Sequence, residues 1–332
     1  MIELKRDELV FQFPDVHADA VCLVGFQRTL RIPDDNREYP LPPGLGRFPL
    51  EQVDDHASRL PAAWAEHGGV LLPMYQSEAL WINFSSFGNE YPFAIKIAAG
   101  KINAVTGDTW TNDLANDPQD YLVAPDQRWL DGFCVQKGLI RQFVAMPLGQ
   151  GYTAEEQLSG AAEHGGLQII VYPMKRDCYE KMKSDSLSLL NSFDIETPCF
   201  LRSSAMGLAP GGLMRQEIYE DEYGFDVWDT TQSSRCFVHI LNSEQWTAST
   251  CKPVPGQPPS AKTYTAAGLP WFEYYDDKLS ALNGAEKLAG MDSVAAKGVK
   301  LGEKPLAEND AVNPQKIVPL GSAFKKINEG NW

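Results

Sequence analysis

The sequence predicts an α+β fold: β-dominated, with a mostly antiparallel sheet core, a few short helices and long loops. Three observations carry this. Apolar runs of strand length, as at residues 140–146, 167–172 and 236–241, recur along the chain and stop at Pro, Gly or polar residues. Helical signals are brief. Pro/Gly-rich stretches such as YPLPPGLGRFPL at residues 39–50 are too stiff for helix and too poor in N–H donors for a central strand.

The stretch IRQFVAMPLGQGYTAEEQLSGAAEHGGLQIIVYPM, residues 140–174, packs the most signals together. A strand over 140–146 ends at Pro147, and Gly149 and Gly151 flank Gln150 in a turn suited to positive φ. Thr153 stands three residues before Glu156, the spacing of a capping box, and the helix it opens is expected to run to Gly165. A buried strand over 167–172 stops at Pro173. Backbone N–H groups in such a glycine turn can cradle an anion. Here no Lys-Ser/Thr pair follows, and Glu155 and Glu156 would repel the ligand, so the structural reading is preferred.

In chain order, residues 9–13 and 20–26 read as an N-terminal hairpin, and 51–59 and 61–67 as short helical pieces with Pro61 in a first turn. Residues 79–84 and 93–105 are the next strands, the second broken near Gly100, and 107–119 is a polar loop. AEHGG occurs at 65–69 and again at 162–166, which reads as one local solution used twice. His67 and His164, each before Gly-Gly, are expected to cap helix ends rather than bind metal. Beyond Met174 the sequence suggests a helix over 175–183, an exposed serine-rich connection over 184–192, a Gly/Pro loop over 205–212 and an extended proline-rich link over 252–264. Trp271, Phe272, Tyr274 and Tyr275 then make a dense aromatic segment within 269–277 that must dock on its own domain or on another subunit. Residues 1–282 are read as one globular region, with two subdomains joined near 184–212 as the alternative, and 283–332 as an extended C-terminal tail.

At 332 residues the chain can bury a sizeable core, and 43% hydrophobic with 22% charged residues fits a folded protein. A net charge of −15 argues against nucleic acid as a partner, since phosphate binding needs clustered Lys and Arg. The 6 cysteines show no CxxC and no metal-ligand spacing, which with the polar start MIELKRDELV suggests reduced thiols in a cytoplasmic protein without metal or cofactor. No run approaches the about 18 apolar residues of a membrane span.

Candidate chemistry is sparse. Glu217, Glu220, Asp221, Glu222, Asp226 and Asp229 form the densest acidic cluster, a source of acid/base groups or calcium ligands, or simply a solvated hairpin end. Glu217, Asp221, His239 and Cys134 are the catalytic candidates. Cys236 and His239 lie three apart on a strand and face opposite sides, which leaves Cys134 with His164 or His239 for a thiol mechanism. Gln142, Gln150, Tyr152 and Trp129 are the ligand-binding candidates, and Trp129, Tyr152, Trp110 and Tyr121 could line a sugar or aromatic groove.

Four blocks, YPLPPGLGRFPL, PQDYLVAPDQRWLDGF, residues 140–175 and AGLPWFEYYDD, resemble a family of uncharacterised bacterial and fungal proteins, some labelled integral-membrane-like. The resemblance spans roughly residues 20–280 and implies no activity, cofactor or residue role, and the membrane label conflicts with the lack of an apolar span. The functional expectation is therefore a non-enzymatic structural or interaction protein that self-associates through the tail and the aromatic segment. The alternative is a hydrolase or small-molecule-binding enzyme with a carboxylate-lined pocket.

Overall fold

The computed structural model describes residues 1–86, 90–185, 206–276 and 278–320. Its first strands pair in sequence order: β1 (Ile2–Lys5), β2 (Glu8–Gln12) and β3 (Val21–Thr29) form an antiparallel meander. β1 escapes sequence reading because none of its side chains is fully buried. The Pro/Gly stretch holds only β4 (Glu38–Tyr39) and β5 (Gly44–Arg47), followed by β6 (Glu51–Gln52). A 3-10 turn over Asp54–Arg59 and α1 (Ala62–His67), with Pro61 as N-cap, stand where helical pieces were expected.

Next come β7 (Val70–Pro73), β8 (Ala79–Ser85), β9 (Phe93–Ala99) and β10 (Ile102–Asn103), the last two a hairpin turned at Gly100 with φ +58°. They are followed by β11 (Leu122–Ala124), β12 (Trp129–Leu130), β13 (Gly132–Gln136), β14 (Leu139–Pro147), α2 (Ala154–Ser159), β15 (Leu167–Pro173) and α3 (Arg176–Asp185). The C-terminal part adds β16 (Met206–Arg215), β17 (Ser234–Leu241), α4 (Ser243–Thr250), α5 (Ala261–Ala266), β18 (Trp271–Tyr274), α6 (Glu286–Ala289), α7 (Val294–Lys300) and β19 (Ile317–Leu320).

β1 to β17 make one continuous sheet in two long runs. The order β1-β2-β3-β8-β14-β16 is antiparallel throughout. In the order β7-β17-β15-β9-β11 only β7 against β17 is parallel. The runs meet where Met206 of β16 pairs with Ile240 of β17. Phe11, Phe26, Ile97, Phe143, Ile169 and Val238, drawn from both runs, belong to one buried cluster. Each such side chain contributes about 1.5–3 kcal/mol on burial.

The repeated AEHGG has a structural reason. β7 and β15 flank the same strand, β17, on its two sides, and Gly69 and Gly166 open them at φ +95° and +59°. A Cβ at Gly69 would fall 2.1 Å from the Phe237 carbonyl oxygen, and one at Gly166 2.3 Å from that of Val238. Each glycine thus lets a strand close on β17.

Two expectations are corrected. α2 has the expected capping box but stops at Gly160, which takes the left-handed cap at φ +73°, so His164 lies outside the helix and caps nothing. Residues 206–212, expected as a loop, are part of β16. Gly211 and Gly212 are required there, since Cβ atoms would fall 2.6 Å from Val144 Cγ2 and 2.3 Å from the Pro33 carbonyl oxygen, and Pro210 sits beside a register shift against β14. Close backbone packing overrides strand propensity. From residue 186 onward the expected serine-rich connection lies outside the described residues, as does Cys199.

The aromatic segment and the tail, expected as contacts to another copy, find partners within this chain. Trp271 is fully buried between Tyr39 and Tyr264, and Phe272 exchanges backbone bonds with Leu41. Leu288, Met291 and Val294 are buried, Ala285 N–H bonds the Cys134 carbonyl, and Ala295 N–H bonds Asp34 at 2.7 Å. Beyond α7 the chain is mostly exposed, with Asn309, Val312 and Pro314 half-buried, and β19, itself largely exposed, pairs parallel with β18 in a separate two-stranded sheet.

Candidate functional site

The structure scatters the candidate residues. Cys134 lies in β13 and is buried, which pushes its thiol up to about 12, the reverse of activation. His239 lies in β17, stacked 4.5 Å from Trp64, with Nε2 3.0 Å from the Gly68 carbonyl oxygen. Burial lowers it to about 4, so it is a neutral donor to that carbonyl. His164 is half-buried and faces Glu163 at 3.6 Å. Cys22, Cys134, Cys178, Cys236 and Cys251 are free thiols.

Asp221 is fully committed. One carboxylate oxygen accepts from Tyr121 Oη and Trp228 Nε1, both at 2.7 Å, and the other from the N–H groups of Tyr223 and Gly224. Asp229 closes a turn through Thr231, while the Asp226 carbonyl holds Lys175. Gln142 is buried in β14, where its amide donates to the Leu30 carbonyl and accepts from Ile32 N–H, pinning the chain after β3. Gln150 is exposed in its turn, and Tyr152 is buried with Val144, Ala209 and Val294 beside Glu303, which together with burial raises its hydroxyl to about 12. The N–H groups an anion would need at the glycine turn are taken: Glu156 accepts from Gly151 and Thr153, and Glu155 from His164 and Gly165.

Trp129 and Glu217 do come together. They line a shallow depression with Leu41, Gln127, Arg128, Gln216, Tyr219 and Tyr274, enclosing ≈ 10 Å³, room for about one water. The Trp129 ring packs 5.0 Å from Tyr274 and 6.1 Å from Trp81. The floor is held by glutamine side chains. Gln127 donates to the carbonyls of Trp129 and Glu217 and accepts from Tyr219 N–H. Gln119 repeats the pattern on Tyr121, Tyr219 and Asp221, and Gln216 exchanges two bonds with Asp131. Side-chain amides thus stitch residues 216–221 to residues 119–131 in place of a strand ladder.

Buried charged groups were missed in the sequence, Arg28, Glu78, Lys96 and Asp131 among them. Arg28 donates from Nε to Glu78 at 2.7 Å and from Nη2 to the same oxygen, both side chains 1% exposed, and a further bond fixes the Gly256 carbonyl. Burial pushes Glu78 up to about 7 against the pull of Arg28. Lys96 is held by Asp120, Thr111 Oγ1 and the Asp113 carbonyl. Among the described residues no cation pairs with Asp131, and burial raises it to about 7 against the Gln216 hydrogen bond. A lone charge inside an apolar run, as in VCLVGFQRTL and FAIKIAAG, was the available signal for Arg28 and Lys96.

Among the described residues, no three His, Cys, Asp or Glu side chains are grouped to hold a metal ion, and no helix is long and apolar enough to cross a membrane. No family model, curated protein or solved structure matches the chain, so the resemblance of the four blocks brings no residue role to the site.

Proposed function

We propose that this chain is a non-enzymatic interaction protein that self-associates, with the β18 and tail side of the molecule as its contact surface. One observation carries the reading. Among the described residues, every exposed large apolar side chain except Met1 lies there: Leu269 and Tyr275 beside β18, and Val299, Leu301, Leu306, Ile317 and Leu320 in the tail. Isolated exposed apolar residues are ordinary, whereas their concentration in one stretch of the chain, residues 269–320, favours a contact there. Replacing Leu306, Ile317 and Leu320 together by Ser is expected to abolish association, read as molar mass by light scattering, with the melting temperature nearly unchanged. A dimer of undiminished stability in that variant would overturn the assignment.

The half-buried rings of Trp129 and Tyr274, 5.0 Å apart, favour a second reading, a small ligand laid over their outer faces, since the depression beneath has room for only about one water. Its measure is tryptophan fluorescence titrated with pyranosides and aromatic acids, in the parent and in Trp129→Ala. Saturable quenching lost in the variant supports it, and no response in the parent removes it.

A further inference from the structure

We propose that the self-associated form is a reciprocal exchange, in which residues 304–320 of each copy leave their own chain and occupy the same place on the other. The inference rests on the reading of the chain as self-associating, and specifies how the contact is made.

The segment's seat is visible because the segment fills it. Glu308 and Asn309 bond the two Nη atoms of Arg31 at 3.1 and 2.9 Å, and Asp310 meets Lys262 at 3.0 Å. β19 then pairs with β18 in register, Ile317 opposite Trp271 through Leu320 opposite Tyr274. A second copy carries the identical segment and therefore satisfies every one of these contacts. The connection is of the kind that permits exchange: Gly302 at φ +79° and the exposed residues 301–308, with Pro305 among them, join α7 to the seat.

The segment itself is lightly held, with most of residues 304–320 exposed. A two-stranded sheet is marginal alone, Glu308 is 54% exposed, and among the described residues Arg31 Nε finds no hydrogen-bond partner. Segments with few buried contacts open locally far more often than the global fold. Simple edge-to-edge pairing of two β19 strands is disfavoured, because the parallel register turns the position of Pro319 outward and Pro offers no N–H there. Exchange avoids that edge.

Energetics set a condition. A short tether gives the intramolecular segment an effective concentration of roughly millimolar, so exchange alone does not favour a dimer at micromolar protein. The shortfall is about a thousandfold, or about 4 kcal/mol. Burial of two or three of the exposed tail and β18-flanking side chains against the second copy is of that order.

The test is a chain carrying Phe272→Cys and Val318→Cys, neighbours across β18 and β19, which keeps Pro319 in place, treated with a short bis-maleimide. Denaturing gels are read beside light scattering, with each single variant as control for the native thiols. Dimeric protein whose crosslink doubles the denatured mass supports exchange. Dimeric protein crosslinked only within single chains overturns exchange and leaves self-association standing through another surface. A monomer crosslinked within itself at every concentration overturns both.

Discussion

Arg28 and Arg31 stand three residues apart, both nearly buried, both paired with a glutamate, and they hold the molecule in opposite ways. Arg28 meets Glu78 inside the core, where both side chains are 1% exposed, and reaches on to the Gly256 carbonyl. Arg31 is 6% exposed but its partner Glu308 is 54% exposed and belongs to a tail segment outside the main sheet. The first pair has exchanged water for protein on every side and is committed. The second leaves one partner in water, where screening and side-chain freedom reduce its worth. The difference separates a closed scaffold from a segment available for contact.

The largest expected effect falls on the committed pair. Glu78→Ala strands a buried guanidinium and is expected to cost about 3–5 kcal/mol in urea unfolding. A loss below about 1 kcal/mol would erase the contrast with Arg31. Asp131 sharpens it as a buried carboxyl held by Gln216 instead of a cation among the described residues. Held near 7 rather than the ordinary 3.8, it binds its proton more tightly folded than unfolded. Its contribution is therefore present at low pH and lost as pH rises from about 4 through about 7. Asp131→Asn is expected to remove that loss, gaining up to about 4 kcal/mol over the parent at pH 8 and little at pH 4. Denaturation across the pH range checks this, and parallel stability curves for the two proteins would contradict it. The smallest effect is at the tail: Glu308→Ala is expected to change global stability by less than about 1 kcal/mol. It should nonetheless speed hydrogen exchange at the β19 amides while leaving β3 and β8 protected, a separation that uniform exchange would refute.

Legibility in the sequence followed the range of the forces involved. Local patterns reported well: the apolar runs that became β14, β15 and β17, the Thr153–Glu156 capping box and the Gly100 turn were all readable. β16 was hidden, because Gly211 and Gly212 are chosen by the proximity of Val144 and Pro33, which no window around residue 211 contains. The same limit applied at the site. Trp129 was visible as an aromatic near charges, but its neighbours Trp81 and Tyr274 come from β8 and β18 and meet it only in the fold. Gln142 looked like a candidate ligand group because a polar residue in an apolar strand is unusual. Its partners, the backbone of Leu30 and Ile32, show that burial to be a clamp.

The most direct measurement is light scattering across a concentration series for the intact chain beside a chain ending at Glu303, which keeps α6 and α7 with their buried Leu288, Met291 and Val294. The account predicts that the intact chain reaches twice the monomer mass while the shortened chain stays monomeric and folded. An intact chain that remains monomeric throughout, or a shortened chain that dimerises equally well, would contradict it.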